Sequence, residues 1–164
     1  MHFLVDGYNL LFRVIKGKKS LESKRDLLLS FLNEQADAFH LQLTVIFDAA
    51  VDKHQEFSRH HRKHLEIIYT SAKQSADECI LTLLEETRKP HGYMVITSDR
   101  ELKSRAKALG ANTQTIDEFL TELSGKTKKK QKKRQEAQQV TVKDSPQNIE
   151  RLRKIFEERL RELD

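Results

Sequence analysis

Four short apolar runs punctuate this chain: Phe3–Val5, Leu43–Phe47, Leu65–Tyr69 and Tyr93–Thr97. Runs of this length without polar alternation suit strands covered on both faces. Helical spacing separates most of them. Tyr8 to Ile15 reads as a short helix and Leu21 to Phe39 as a long amphipathic one, with Ser20 as its N-cap. Ser75 and Glu78 have capping-box spacing before a helix from Cys79 to about Arg88. Ser98 and Glu101 repeat that spacing before a helix to about Leu109, with Gly110 as its C-cap. Ala111 to Gln114 is a short fifth strand, and Thr115 opens a helix to about Leu123. Strands alternating with helices require crossovers and a mainly parallel sheet. The expectation is a doubly wound α/β domain over residues 1–123, five-stranded, with helices on both faces.

The polar residues at the strand ends carry the chemistry. The first run stops at Asp6-Gly7, the second at Asp48, and the fourth runs into Ser98-Asp99. Asp77 stands at a helix start after the third. Asp-Gly is a strong turn dipeptide, and Gly7 is expected to supply unusual backbone angles. One such aspartate is an ordinary turn residue. In an open parallel sheet, however, all four fall at the carboxyl edge, where sites form. Four carboxylates on one rim repel one another unless a cation lies between them. Magnesium or manganese suits such oxygen donors. Asn9, one turn beyond Asp6, is placed to add a neutral oxygen or orient a water. Carboxylate-held metal suits phosphodiester hydrolysis, because it lowers the pKa of a bound water and stabilises the leaving oxygen. Cys79 lies in an apolar helical pattern and reads as a small core residue. The chain has five glycines and no phosphate-cradling loop of the nucleotide-binding kind.

Charge is distributed unevenly. Residues 1–124 hold 17 Lys and Arg against 18 Asp and Glu, whereas residues 125–164 hold 13 against 7. The excess lies in Lys126, Lys128, Lys129, Lys130, Lys132, Lys133 and Arg134. A near-neutral body with a basic arm points to a polyanion such as nucleic acid, or to a solvated linker. A second basic stretch, Asp52 to His64, contains Lys53, Arg59, Arg62, Lys63 and four of the seven histidines. It reads as a phosphate-contacting loop, and no cysteine or paired-ligand spacing supports zinc there. Ser98 and Arg100, flanking Asp99, are further candidate substrate contacts. No apolar run reaches the roughly 18 residues of a membrane span. Met1-His2-Phe3 lacks the order of a secretory signal, so a cytoplasmic location is expected.

Residues 124–145 read as a basic linker, with Val140–Val142 able to add to a sheet edge. Ser145-Pro146 opens a helix over 146–164. Ile149, Leu152, Phe156 and Leu163 form its stripe. Such a helix is too short to stand alone, so it docks on the domain, on a copy of itself or on a partner.

Val5-Asp6-Gly7-Tyr8-Asn9, Val45-Ile46-Phe47-Asp48-Ala49, Ser75-Ala76-Asp77-Glu78 and Val95-Ile96-Thr97-Ser98-Asp99-Arg100 together resemble the NYN, YacP-like branch of the PIN-like nucleases. The resemblance covers about residues 2–123 and does not extend to 125–164. It implies a metal-dependent endoribonuclease, and some bacterial members look ribosome-associated. Asp6, Asp77 and Asp99 match its acidic core; Asn9 and Asp48 match adjoining polar positions. The competing expectation is an RNA- or ribosome-binding module that keeps the pocket without turnover. A phosphoryl-accepting receiver would need paired acids after the first strand and a lysine after the fifth, and Gly7 and Thr115–Asp117 stand there instead.

Overall fold

A computed structural model describes residues 1–51, 56–135 and 146–163. Among the described residues six strands form one sheet, β1 (His2–Asp6), β2 (Gln42–Phe47), β3 (Ser58–Arg62), β4 (Leu65–Tyr69), β5 (Tyr93–Ile96) and β6 (Asn112–Gln114), in the order β3-β4-β2-β1-β5-β6. All pairings are parallel except β3 with β4. Val5 sits between Val45 on β2 and Ile96 on β5. The chain leaves β1 towards β2 and later returns to β5 on its other side. The switch point of the sheet therefore lies between β1 and β5, where open α/β sheets form crevices.

The helices described are α1 (Gly7–Val14), α2 (Leu21–Phe39), α3 (Ala76–Glu86), α4 (Arg100–Ala108), α5 (Ile116–Gln135) and α6 (Pro146–Glu162). Successive strand residues point to opposite faces, so each apolar strand feeds two cores. Phe3, Val5, Val45 and Phe47 pack under α1, α2, α5 and α6. Leu4, Ile46, Ile68 and Val95 pack under α3 and α4.

The sheet has one strand more than the sequence led us to expect. Ser58–Arg62 is not a loop but an antiparallel edge strand, exposed along most of its length. Its Ser-Arg-His-His-Arg sequence has no apolar residue to betray it. It is held by the β4 ladder and by Glu66, which accepts from Arg59 Nε and lies 3.4 Å from His61 Nε2. Charged side chains are common on sheet edges because they resist further pairing.

The C-terminal region also differs. α5 does not end near Leu123 but continues to Gln135, through the start of the basic segment. Lys and Gln are good helix formers, and a helix already nucleated on the domain extends readily through them. Residues Val140–Val142 lie outside the described residues. α6 docks in cis. Phe156 and Leu160 are buried, and Phe156 meets Phe31 of α2 edge-on with ring centroids 5.1 Å apart. Arg153 donates from Nε and Nη2 to the Arg13 carbonyl at 3.2 and 3.0 Å. Arg13 in turn grips Asp117 of α5 through two bonds of 2.8 and 2.9 Å. Phe156 and Leu160 of α6 thus serve this chain's own core, with Ile149 and Leu152 packed against it, whereas Leu163, placed in the same stripe by its spacing, is exposed.

Candidate active site

Asp6 closes β1 and caps α1, accepting the Asn9 N–H at 3.4 Å. Gly7 after it has no left-handed backbone angle. It is needed for space: a Cβ would stand 2.6 Å from two Phe47 ring atoms and 2.9 Å from the Ile46 carbonyl oxygen. The expectation of unusual angles is corrected to one of close approach, with the β1–α1 turn pressed against the end of β2.

Asp48 follows β2. Its Oδ1 accepts from Ala50 N at 2.7 Å, and its Oδ2 accepts from Ala76 N at 3.3 Å. It therefore ties β2 to the first residue of α3. The Ser75–Glu78 capping box forms as the spacing predicted. Asp77 lies one residue into α3 and half-buried. On α4 the cap is Asp99 rather than Ser98: Asp99 Oδ1 accepts from Leu102 N at 2.9 Å. Thr97, fully buried, takes the Asp99 N–H on its hydroxyl at 3.1 Å and fixes the turn. Ser98 and Arg100 are exposed on either side of it.

The electrostatics show that these carboxylates share one field. Burial first, and then Asp77, push the Asp6 carboxyl up to about 7. The Asn9 N–H pulls it back, and Asp48 and Asp99 push it up further. Burial, followed by Asp99 and Asp48, raises Asp77 as well. Arg105 opposes that rise and Glu101 adds to it; the sequence marked Glu101 only as a capping partner of Ser98 and did not mark Arg105 at all. Their four-residue separation puts both on one helix face, and that was the only signal available.

Among the described residues, no three His, Cys, Asp or Glu side chains are gathered to hold a metal ion. The donor chemistry nevertheless fits a hard divalent cation. The donors are oxygens, and their mutual repulsion on Asp6 and Asp77 is what a bound cation would relieve. Magnesium keeps several waters and takes only one or two carboxylates directly, so a closed protein cage is not required.

The other candidate contacts are scattered. Arg59 is engaged by Glu66, and Lys63 Nζ binds Asp37 at 2.8 Å. Arg62 pairs with Leu65 at the start of β4, so Arg62 and Lys63 lie at the amino edge, opposite the acidic rim. Lys53 lies outside the described residues. Lys128, Lys129 and Lys130 fall on α5, in a stretch whose side chains are outside the described ones.

The sequence profile of the YacP-like NYN domain matches residues 3–163. The chain belongs to that family. The match runs through α6, so the family unit extends well past residue 123 and includes the C-terminal helix. Crystal structures of Rae1 (YacP) from Bacillus subtilis share its fold. One of them, of a point mutant, superposes with a TM-score of 0.63 at 23% identity, covering 87% of this chain and 86% of that one. A second Rae1 structure gives 0.58 at 23% identity, covering 84% and 81%. No curated protein matches this chain. No helix among the described residues is long and apolar enough to cross a membrane.

Proposed function

We propose that this YacP-like NYN domain is a divalent-metal-dependent endoribonuclease of the cytoplasm. The observation that carries the reading is the coupling of Asp6, Asp77, Asp48 and Asp99 at the switch point, with Asp6 pushed up to about 7. Asp6, Asp77 and Asp99 would hold magnesium or manganese. When bound, the ion lowers the pKa of a coordinated water and neutralises charge on the phosphate. Asn9, whose backbone N–H bonds Asp6, orients the phosphate or a water through its side chain. Asp48, with both oxygens on backbone N–H groups, acts chiefly by positioning α3 and therefore Asp77. Ser98 and Arg100 flank Asp99 and contact the substrate backbone.

The test is cleavage of a mixed, labelled single-stranded RNA at neutral pH with manganese, magnesium or chelator, comparing wild type with Asp99→Asn. Metal-dependent cutting lost in the variant supports the nuclease. The ungathered carboxylates favour a second reading, an RNA- or ribosome-binding module without turnover. Binding without cutting, on free RNA and on translating ribosomes alike, would select it. Cutting on ribosomes alone would place the nuclease there.

A further inference from the structure

The exposed face of α1 leads away from the acidic rim. Asn9, Phe12 and Arg13 share that face at helical spacing, while Leu10, Leu11 and Val14 are buried on the other. Phe12 is 46% exposed, and among the phenylalanines only Phe57 is more so. Its ring stacks on Tyr8 at 5.7 Å with 16° between the planes. Tyr8 is itself fixed, edge-on to Phe47 at 4.9 Å and with its hydroxyl accepting from Arg25 Nη1 at 3.0 Å. Phe12 thus presents an outward ring one turn beyond Asn9, backed by a buried, hydrogen-bonded aromatic residue.

Lys16, two residues past the end of α1, reaches back to bond the Phe12 carbonyl at 2.7 Å and also lines an open cleft of about 340 Å³. The cleft lies between the α1–α2 connection and α6. Lys16, Lys18, Lys19 and Arg161 line it, and Glu157 adds a carboxylate. Its size is that of a small-ligand site, and four of its seven lining residues are cationic. The Arg153 bonds to the Arg13 carbonyl hold α6 against the end of α1, so the cleft is preformed.

We propose that α1 and this cleft form one track for single-stranded RNA. Phe12 stacks a base next to the reacting phosphate, and Lys16, Lys18, Lys19 and Arg161 carry the backbone onward. The proposal rests on the nuclease reading for its direction from the rim. It gives the docked α6 a functional part. It also implies discrimination, since a base paired in a duplex has no free face to offer Phe12.

The test is fluorescence anisotropy in chelator, with a labelled mixed-sequence single-stranded 12-mer RNA and the same RNA as a blunt duplex. Phe12→Ala is expected to weaken single-strand binding about 10-fold, at the lower end of what base–aromatic stacking supplies, and Phe12→Trp to restore it. The double variant Lys18→Glu/Arg161→Glu is expected to weaken binding and to reduce the salt slope by about 1.4, two phosphates' worth for a single strand. Thermal unfolding of both is expected to stay cooperative, matching wild type for the charge variant and lowered for Phe12→Ala only by the lost stack on Tyr8. Tight wild-type binding that none of these variants changes overturns the track and leaves the nuclease standing. A preference for duplex overturns the role of Phe12. Wild type that neither binds nor cuts any RNA overturns the track and the nuclease reading together.

Discussion

Asp48 Oδ2 accepts the backbone N–H of Ala76 at 3.3 Å, so the end of β2 holds the first residue of the helix that carries Asp77. The two carboxylates are linked mechanically as well as electrically, since Asp48 also raises the Asp77 carboxyl.

Asp48→Ala should therefore act at a distance. It leaves the part-buried Ala76 N–H without its acceptor, at a cost of about 1 kcal/mol in denaturant unfolding, while the exposed Ala50 N–H turns to water. Cleavage should fall through kcat, with RNA binding in chelator unchanged. Loss of binding with kcat preserved would show that Asp48 contacts substrate instead.

Asp6 gives a pH-dependent prediction of opposite sign. Its carboxyl is raised to about 7 in the fold, so folding takes up a proton between the ordinary carboxyl range and pH 7. The stability that Asp6 allows is full below pH 4 and falls as pH rises towards 7, by about 4 kcal/mol at most. Asp6→Asn removes the buried charge and keeps an N-cap, since Asn caps as well as Asp. At pH 7.5 in chelator the variant should melt higher than wild type, at about 2–4 °C per kcal/mol. At pH 4 the gap should close, and cleavage should be lost at every pH. A variant that melts lower at pH 7.5 would contradict the raised carboxyl.

Much of this was legible in the residues. Val5, Val45 and Ile96 announced central parallel strands by continuous burial, and the aspartates after them fell at one rim by topology alone. What hydrophobic pattern cannot show is structure that rests on pairing. β3 is held by its ladder with β4 and by Glu66, and nothing in Ser58–Arg62 is buried for periodicity to detect. Ser98 and Asp99 are both good caps, and the choice turned on the Thr97 hydroxyl fixing the turn one residue later, a tertiary detail. Arg105 bears on Asp77 only through the packing of α4 against α3. The reach of α5 to Gln135 follows from helix propensity without an apolar stripe, which the charge run concealed.

Gly7→Ala tests the close approach of the β1–α1 turn. A methyl at 2.6 Å from Phe47 must displace either that ring or the turn carrying Asp6. Overpacking of this kind costs about 1–3 kcal/mol, so the midpoint of urea unfolding should fall with its slope unchanged. Because Phe47 is wedged between Tyr8 and Tyr69, the displacement should reach the site and lower kcat as well. Wild-type stability would mean that the turn has room it is not shown to have.

Phe156→Ala asks whether α6 belongs to the folded body. Phe156 is 1% exposed and meets Phe31, and Leu160 is buried one turn later in the same core. Removing a ring so enclosed costs about 3–5 kcal/mol. The expected result is a single cooperative transition at a midpoint lower by about 2–4 °C per kcal/mol, with a chain that still sediments as a monomer. The monomer follows because Phe156 and Leu160, the residues of α6 best able to pair with a second copy, are already packed in the core with α1, α2 and α5, which leaves only Ile155 on this helix, and Leu163 just past its end, as exposed apolar residues. An unchanged melting curve, or a wild type that dimerises and a variant that does not, would mean that α6 packs between chains rather than within one.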